Sequence, residues 1–194
     1  MALNSLLAYI NNYVSLTEEE ERLLETYVTK RTYLKGQYIL QQGDICRHSS
    51  FITKGCSKMF VVDADGQEHI IMLAVEGWWN SDIASFINQK PADFNIQCIE
   101  DTEIVQFHYD TIETVYTLVP KLEKFFRKIL ERGLAASQKR IIRNFTMTAK
   151  DRYLYFKASY PDIDQRIPQY MVASYLGITK EFLSKIKSQI AQER

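Results

Sequence analysis

The sequence predicts an α+β chain. Helices flank an antiparallel barrel of the double-stranded β-helix or jelly-roll type, which is followed by a long helix and a small helical domain. Three observations carry this expectation. Between Tyr33 and Phe107, short β-branched and aromatic segments alternate with turn signals. After Tyr109 the apolar period changes to that of a helix. Near the end, Gln169 to Ile186 has the spacing that folds two helices about a tight turn.

The elements follow in order. Thr17-Glu-Glu-Glu20 is a capping box, and Leu23, Leu24, Tyr27 and Val28 follow at helical spacing, so a helix opens near Thr17. Turn signals at Gly36, Gly43-Asp44, Lys54-Gly55, Asp65-Gly66 and Glu76-Gly77 separate the expected strands. These are Tyr38–Leu40, Ser50–Thr53, Ser57–Val62, His69–Ala74, Asn95–Ile99 and Glu103–Phe107. Several short strands on glycine turns fit a double-sheet barrel.

In the long helix, Val119, Leu122, Phe126, Ile129, Gly133 and Ala136 recur at spacings of three and four. Leu118, Phe125, Leu130, Leu134 and Ile141 form a second apolar stripe. A helix with two apolar faces needs two partners. One is its own barrel, and the other is expected to be the same helix of a second copy, met by the stripe from Val119 to Ala136. Arg127, Lys128, Arg132 and Lys139 on the same helix demand solvent. Gly133 costs about 1 kcal/mol against Ala in a helix interior, which suggests close backbone approach there.

Asn144 to Thr148 reads as a break, after which Thr148-Ala-Lys-Asp151 caps a helix carrying Tyr153, Leu154 and Phe156. Pro161 to Pro168 reads as a loop or short strand leading into the helix pair. There Ala173 is small at the helix crossing, and Gly177 supplies the turn's positive φ. Ile178, Leu183 and Ile186 fill the angle, and Thr179 caps the second helix. That helix presents Lys180, Glu181, Ser184 and Lys185 outward, in the manner of a helix-turn-helix that enters a DNA major groove, with Gln169 opening the first helix. The expected domains are residues 1–117, a sensor barrel; 118–143, a dimerisation helix; and 144–194, the helix-turn-helix domain.

Composition narrows the function classes. With 24 basic and 24 acidic residues the chain is neutral, but residues 121–194 hold 16 Lys/Arg against 7 Asp/Glu. An acidic front and a basic back place the helix pair where phosphates would need neutralising. With 46% apolar and 25% charged residues, the composition is that of an ordinary globular protein and excludes disorder and collagen-like order. The N-terminus has no basic leader, and no apolar run reaches membrane-spanning length. The expected location is the cytoplasm, with no membrane partner. Cys46, Cys56 and Cys98 are widely spaced and odd in number, which suits reduced, buried thiols rather than disulfides or a metal site. His48, His69 and His108 are isolated in sequence and supply no nucleophile–base pair or ligand cluster, so neither an enzyme nor a metal site is expected.

Over nearly its full length the chain resembles the Crp/Fnr bacterial transcription regulators. In the barrel the resemblance rests on Lys35-Gly36 through Gly43-Asp44, Phe51 to Gly55, Asp65-Gly66-Gln-Glu68, and Glu76-Gly77. In the C-terminal part it rests on Thr179-Lys180-Glu181 and Lys185. The resemblance implies a cyclic-nucleotide-binding fold, a homodimer and a winged-helix-like reading domain. It also implies double-stranded DNA and RNA polymerase as partners.

The departures from the family pattern concern the ligand first. Cyclic-AMP binders in the family carry Gly-Glu-Leu and then Arg-Ser. Here Ser81-Asp82-Ile83 and Ala92-Asp93 stand in their place. Ala92 removes a guanidinium that would contribute about 2 to 3 kcal/mol, and Asp93 adds a like charge. Where binders have Thr-Ser facing the adenine, the long helix has Ala136-Ser137. No cofactor is expected, and a cyclic nucleotide, though compatible with the fold, is disfavoured. Trp78 and Trp79 line such a pocket or fill the core. Family members sensing through iron–sulfur clusters carry N-terminal cysteines, and this chain has none before Cys46.

On the DNA side, Lys180 and Lys185 replace arginines that read guanine bidentately, which relaxes sequence preference. The family's β-hairpin wing has no counterpart before Arg194, so Lys139, Arg140 and Arg143 are expected to supply phosphate contacts. The expected function is a homodimeric transcription regulator. The alternative is a ligand-binding or protein-interaction module whose helix-turn-helix does not read DNA.

Overall fold

The capping box at Thr17 forms as its residues require. In the computed structural model, which describes residues 2–193, the Glu20 amide donates to Thr17 Oγ1 at 3.2 Å and the Thr17 amide to Glu20 Oε2 at 2.7 Å. This box opens α2 (Glu18–Tyr27). Before it lies α1 (Ala2–Asn11), to which the sequence reading assigns no element; Leu3, Leu6 and Ile10 recur at helical spacing and are buried. Val28 does not extend α2 as its spacing suggests. Its backbone is extended, and it opens strand β1 (Val28–Tyr33).

Seven more strands complete two four-stranded antiparallel sheets. They are β2 (Tyr38–Leu40), β3 (His48–Lys54), β4 (Ser57–Val62), β5 (Glu68–Ala74), β6 (Trp79–Asn80), β7 (Asn95–Cys98) and β8 (Thr102–His108). One sheet has the order β1-β8-β3-β6, the other β2-β7-β4-β5. A short helix, α3 (Ile83–Asn88), follows β6, and α4 (Tyr109–Leu118) follows β8. Among the described residues no helix is long and apolar enough to cross a membrane.

The chain divides into two units, Met1–Val61 with Met72–Arg132, and Val62–Ile71 with Gly133–Arg194. In the first unit, the period of two along β3 and β8 sorts side chains to two faces of one sheet. Phe51, Val105 and Phe107 pack outward against Leu6 and Ile10 of α1, Leu24 of α2 and Val115 of α4, with Leu122 and Phe125 in the same cluster. Ile52 and Ile104 point the other way, into the barrel, and are fully buried. Trp79 joins the outer cluster, its ring 5.3 Å from Phe51 and 5.2 Å from Phe126, so it is a core aromatic; Trp78 is 38% exposed.

The long helix begins later than the periodicity suggests. Val119 caps the end of α4, Pro120 separates the helices, and α5 runs Lys121–Thr146. This corrects part of the expected dimer stripe. Val119, Leu122 and Phe126 are buried in the unit's own core, at 1%, 0% and 8% exposure, and Ile129 packs against that core half-buried. Gly133 and Ala136 are exposed, and a Cβ on Gly133 would meet nothing within 4 Å, so the chain itself makes no close approach there.

The second unit contains α6 (Ala149–Ser159), α7 (Ile163–Arg166), α8 (Gln169–Leu176) and α9 (Lys180–Gln192). Thr148 caps α6 through the Asp151 amide, as its spacing implies. The segment between Pro161 and Pro168 holds the short helix α7 where the sequence suggests a loop or strand. The tip of the β4–β5 hairpin belongs to this unit. Ser174 Oγ accepts the Ile70 amide at 3.0 Å and donates to Glu68 O at 2.8 Å. The Arg140 guanidinium donates to the carbonyls of Ile71 and Tyr175 and stacks on the Tyr175 ring at 4.2 Å.

Two glycines of the hairpins make different demands. Gly55 has φ +98°, and a Cβ there would lie 2.6 Å from both Asp101 O and Thr102 Oγ1; Gly66 has φ +80° but open space around it. Gly55→Ala is expected to lower stability by about 3 kcal/mol or more, and Gly66→Ala by about 1 kcal/mol. Chemical denaturation of the two variants checks the difference.

Candidate functional site

The barrel segment that departs from the expected phosphate-binding pattern is closed on itself. Asp82 has extended backbone and caps α3, its Oδ1 accepting the Ser85 amide at 2.9 Å. Its other oxygen, Oδ2, accepts the Asp93 amide at 3.0 Å, so one carboxylate ties the start of α3 to the Ala92-Asp93 turn. Asp82 is 1% exposed. A buried carboxylate is tolerable only when hydrogen-bonded, and two amide donors meet that need. Ala92 is buried, and its amide donates to Asp44 O at 2.8 Å. Ser81 Oγ accepts the Ser50 amide at 3.2 Å.

Of the six residues expected at a ligand pocket, the structure therefore joins Asp82 to Asp93 and packs Ala92 beside them. Ser81 turns to β3, while Ile83 and Asp93 are exposed. Ser137 is exposed on α5, in the other unit.

In the second unit, Gly177 ends α8 with φ +66°, its amide and that of Ile178 returning to Ala173 O and Ser174 O. Thr179 Oγ1 then accepts the Phe182 amide at 3.2 Å and opens α9. Leu183 and Ile186 are buried, which fixes the rotation of α9 about its axis. That rotation leaves Thr179, Lys180, Glu181, Ser184 and Lys185 exposed, together with Gln169 at the start of α8. Phe182 is 48% exposed on the same helix, a large apolar group in solvent that the sequence reading did not single out.

On α5, where Ile142 is also exposed, Leu130, Leu134, Ile141 and Phe145 are 49%, 63%, 56% and 84% exposed. Spacings of 4, 7 and 4 put them on one stripe of the helix. This is the second stripe of the sequence pattern extended by Phe145 and without Leu118 and Phe125, the first of these lying on α4 and the second fully buried.

The three cysteines are buried. Burial pushes the thiols of Cys46 and Cys98 up, which suppresses the reactive thiolate. The histidines are less isolated than their sequence positions suggest. His48 and His108 are cross-strand partners with ring centroids 4.8 Å apart, and His69 Nε2 lies 2.5 Å from Asp63 Oδ2. Burial, followed by the nearby charges of His108, Arg31 and Arg47, holds His48 below the ordinary histidine range. Among the described residues no three His, Cys, Asp or Glu side chains gather as metal ligands.

Sequence reasoning also missed a pocket of about 220 Å³, partly open to solvent and lined in part by Ile45, Arg47, His48, Ser50, Asn80 and Gln106. Its signal was present but non-local: a glutamine in the otherwise apolar run Ile104-Val105-Gln106-Phe107.

Residues 30–117 match the sequence profile of the cyclic nucleotide-binding domain. Solved structures share the fold over most of the chain. The catabolite activator protein of Thermus thermophilus is 21% identical, with a TM-score of 0.60, covering 95% of this chain and 87% of its own. CLP, the c-di-GMP-responsive global regulator of Xanthomonas campestris, is 11% identical, with a TM-score of 0.74 and coverage of 91% and 93%. FixK2 of Bradyrhizobium japonicum is 16% identical, with a TM-score of 0.71 and coverage of 86% and 85%. No curated protein matches the sequence.

Asp82→Ala leaves the buried Ser85 amide and the partly buried Asp93 amide without their acceptor and is expected to lower stability by about 2 to 4 kcal/mol. Asp82→Asn keeps one oxygen and is expected to lose about half as much. Urea unfolding of both variants measures the difference.

Proposed function

We propose that this chain is a homodimeric, DNA-binding transcription regulator of the Crp/Fnr type whose barrel does not depend on cyclic AMP. The observation that carries the DNA reading is the surface of α9. Its buried Leu183 and Ile186 fix which side faces out, and that side bears Lys180, Glu181, Ser184 and Lys185. The strongly basic C-terminal part of the chain supplies the non-specific attraction to phosphate that such a helix needs. In a dimer, two α9 helices would enter successive major grooves about 34 Å apart on a near-palindromic site.

Asp82 supports independence from cyclic AMP. Its carboxylate already takes the amides of Ser85 and Asp93, and no arginine stands at position 92 to hold a cyclic phosphate. An incoming phosphodiester would meet an anion in place of a cation. The exposed stripe Leu130, Leu134, Ile141 and Phe145 suits a second copy of α5, and RNA polymerase is the natural further partner of a DNA-bound regulator.

Selection of sites from fragmented DNA of the source organism, at near-physiological salt, tests the reading. A two-fold symmetric site enriched both with and without cyclic AMP is the expected result. Enrichment only with the nucleotide overturns the reading of Asp82 and Ala92; none in either arm favours a protein-docking module. Lys180→Ala and Lys185→Ala are each expected to weaken specific binding by about 1 to 3 kcal/mol while the protein stays folded, read by fluorescence anisotropy. Leu134→Glu with Ile141→Glu is expected to yield a folded monomer by light scattering.

A further inference from the structure

The first turn of α9 stands clear of the body of its unit. Thr179, Lys180, Glu181 and Phe182 are all exposed, and Leu183 is the first side chain of the helix to be buried. The turn is nevertheless fixed in shape. The Phe182 amide donates to Thr179 Oγ1 at 3.2 Å and the Leu183 amide to Thr179 O at 3.0 Å. Three of the four exposed side chains are polar or charged and suit water. Phe182 is the exception: at 48% exposure it leaves about 100 Å² of apolar surface unburied. Helical spacing puts it on one strip with the exposed Lys185 and Gln189, while Ile186, one turn on, is buried. The ring thus stands where the outward face of α9 meets the packed one.

A helix whose first turn meets base edges in a major groove offers such a ring one apolar complement, the C5-methyl of thymine. The other features that distinguish bases there are hydrogen-bond donors and acceptors, which a phenyl ring cannot pair. Contacts to phosphate need donors as well, so a role in positioning on the backbone is closed to Phe182 and falls to the lysines and serines around it. Packing against a methyl removes water from both partners and is worth about fourfold in affinity for each methyl covered.

We propose that Phe182 determines specificity, its ring packing on a thymine methyl in each half-site and adding a preference for an A·T pair that Lys180 and Lys185 do not encode. This rests on the reading of α9 as a DNA-reading helix and names the base that its apolar position selects. In a two-fold site the contact is made twice, so its loss costs about tenfold or more in affinity.

Uracil in place of thymine supplies the test, because it deletes the methyl and keeps every donor and acceptor of the base pair. The full chain is titrated by fluorescence anisotropy against the two-fold site enriched from fragmented DNA, with each symmetry-related pair of thymines replaced in turn. Replacing one such pair is expected to weaken binding by about tenfold. Phe182→Ala is expected to lose about as much on the thymine duplex and to be indifferent to uracil at that pair, so that the two changes are not additive. Phe182→Leu, with less surface to offer, is expected to keep part of the methyl dependence, and it stands in should the alanine variant fail to fold. The proposal is overturned if no thymine pair responds in the parent protein, or if the response is undiminished in the variants. Failure of the DNA reading has a different signature: no site is enriched and all duplexes bind alike, and the assignment of Phe182 falls with it.

Discussion

The alternation of side chains across the β1-β8-β3-β6 sheet is the constraint on which the first unit depends. On β3, β6 and β8, neighbouring residues serve opposite environments. Phe51, Trp79, Val105 and Phe107 face the helices and form the aromatic core, while Ser50, Asn80 and Gln106 face the barrel. A slip of one residue in register would exchange the two sets. It would put amides among phenylalanines and turn the aromatic rings to the barrel side. The helical core and the polar row are therefore two results of one pairing, and neither can change its register alone.

The Asp82 carboxylate is a second fixed point. The turn it holds needs an acceptor for two amides, one buried and one partly so, and an aspartate supplies it from within the chain. The segment is completed by a side chain of its own. Its order then does not wait on a ligand.

Much of this architecture is legible in the sequence, and the failures have physical reasons. The Thr17, Thr148 and Thr179 caps and the Gly177 turn are local: each depends on residues within four positions, so spacing alone reveals them. Strand β1 escapes because it is a sheet edge. Its burial pattern is open along Thr29-Lys-Arg-Thr32, and an edge strand carries charge where a central one cannot. Strand β6 is two residues long, below the reach of any periodicity. The two stripes of α5 are visible, but periodicity cannot say which faces the chain's own sheet. That assignment needs the contacts of Val119, Leu122 and Phe126. Of the candidate site, the outward set on α9 is readable from its helical spacing. The polar row is not, because its members are brought together by register across residues 50, 80 and 106.

The hairpin tip that Ser174 and Arg140 hold has a consequence for inheritance. Because residues 62–71 belong with the helical unit, the chain passes between the two units three times, near residues 61, 71 and 132. Neither unit is a contiguous stretch of sequence. A recombination event joining a new C-terminal segment after residue 132 would bring in helices without the loop that bonds them. Ser174 Oγ and the Arg140 guanidinium would lose the backbone groups of Glu68, Ile70 and Ile71. Such a chimera has to import the β4–β5 tip as well. The two units are thus committed to evolve as a matched pair, and exchange of the helical unit requires two simultaneous grafts.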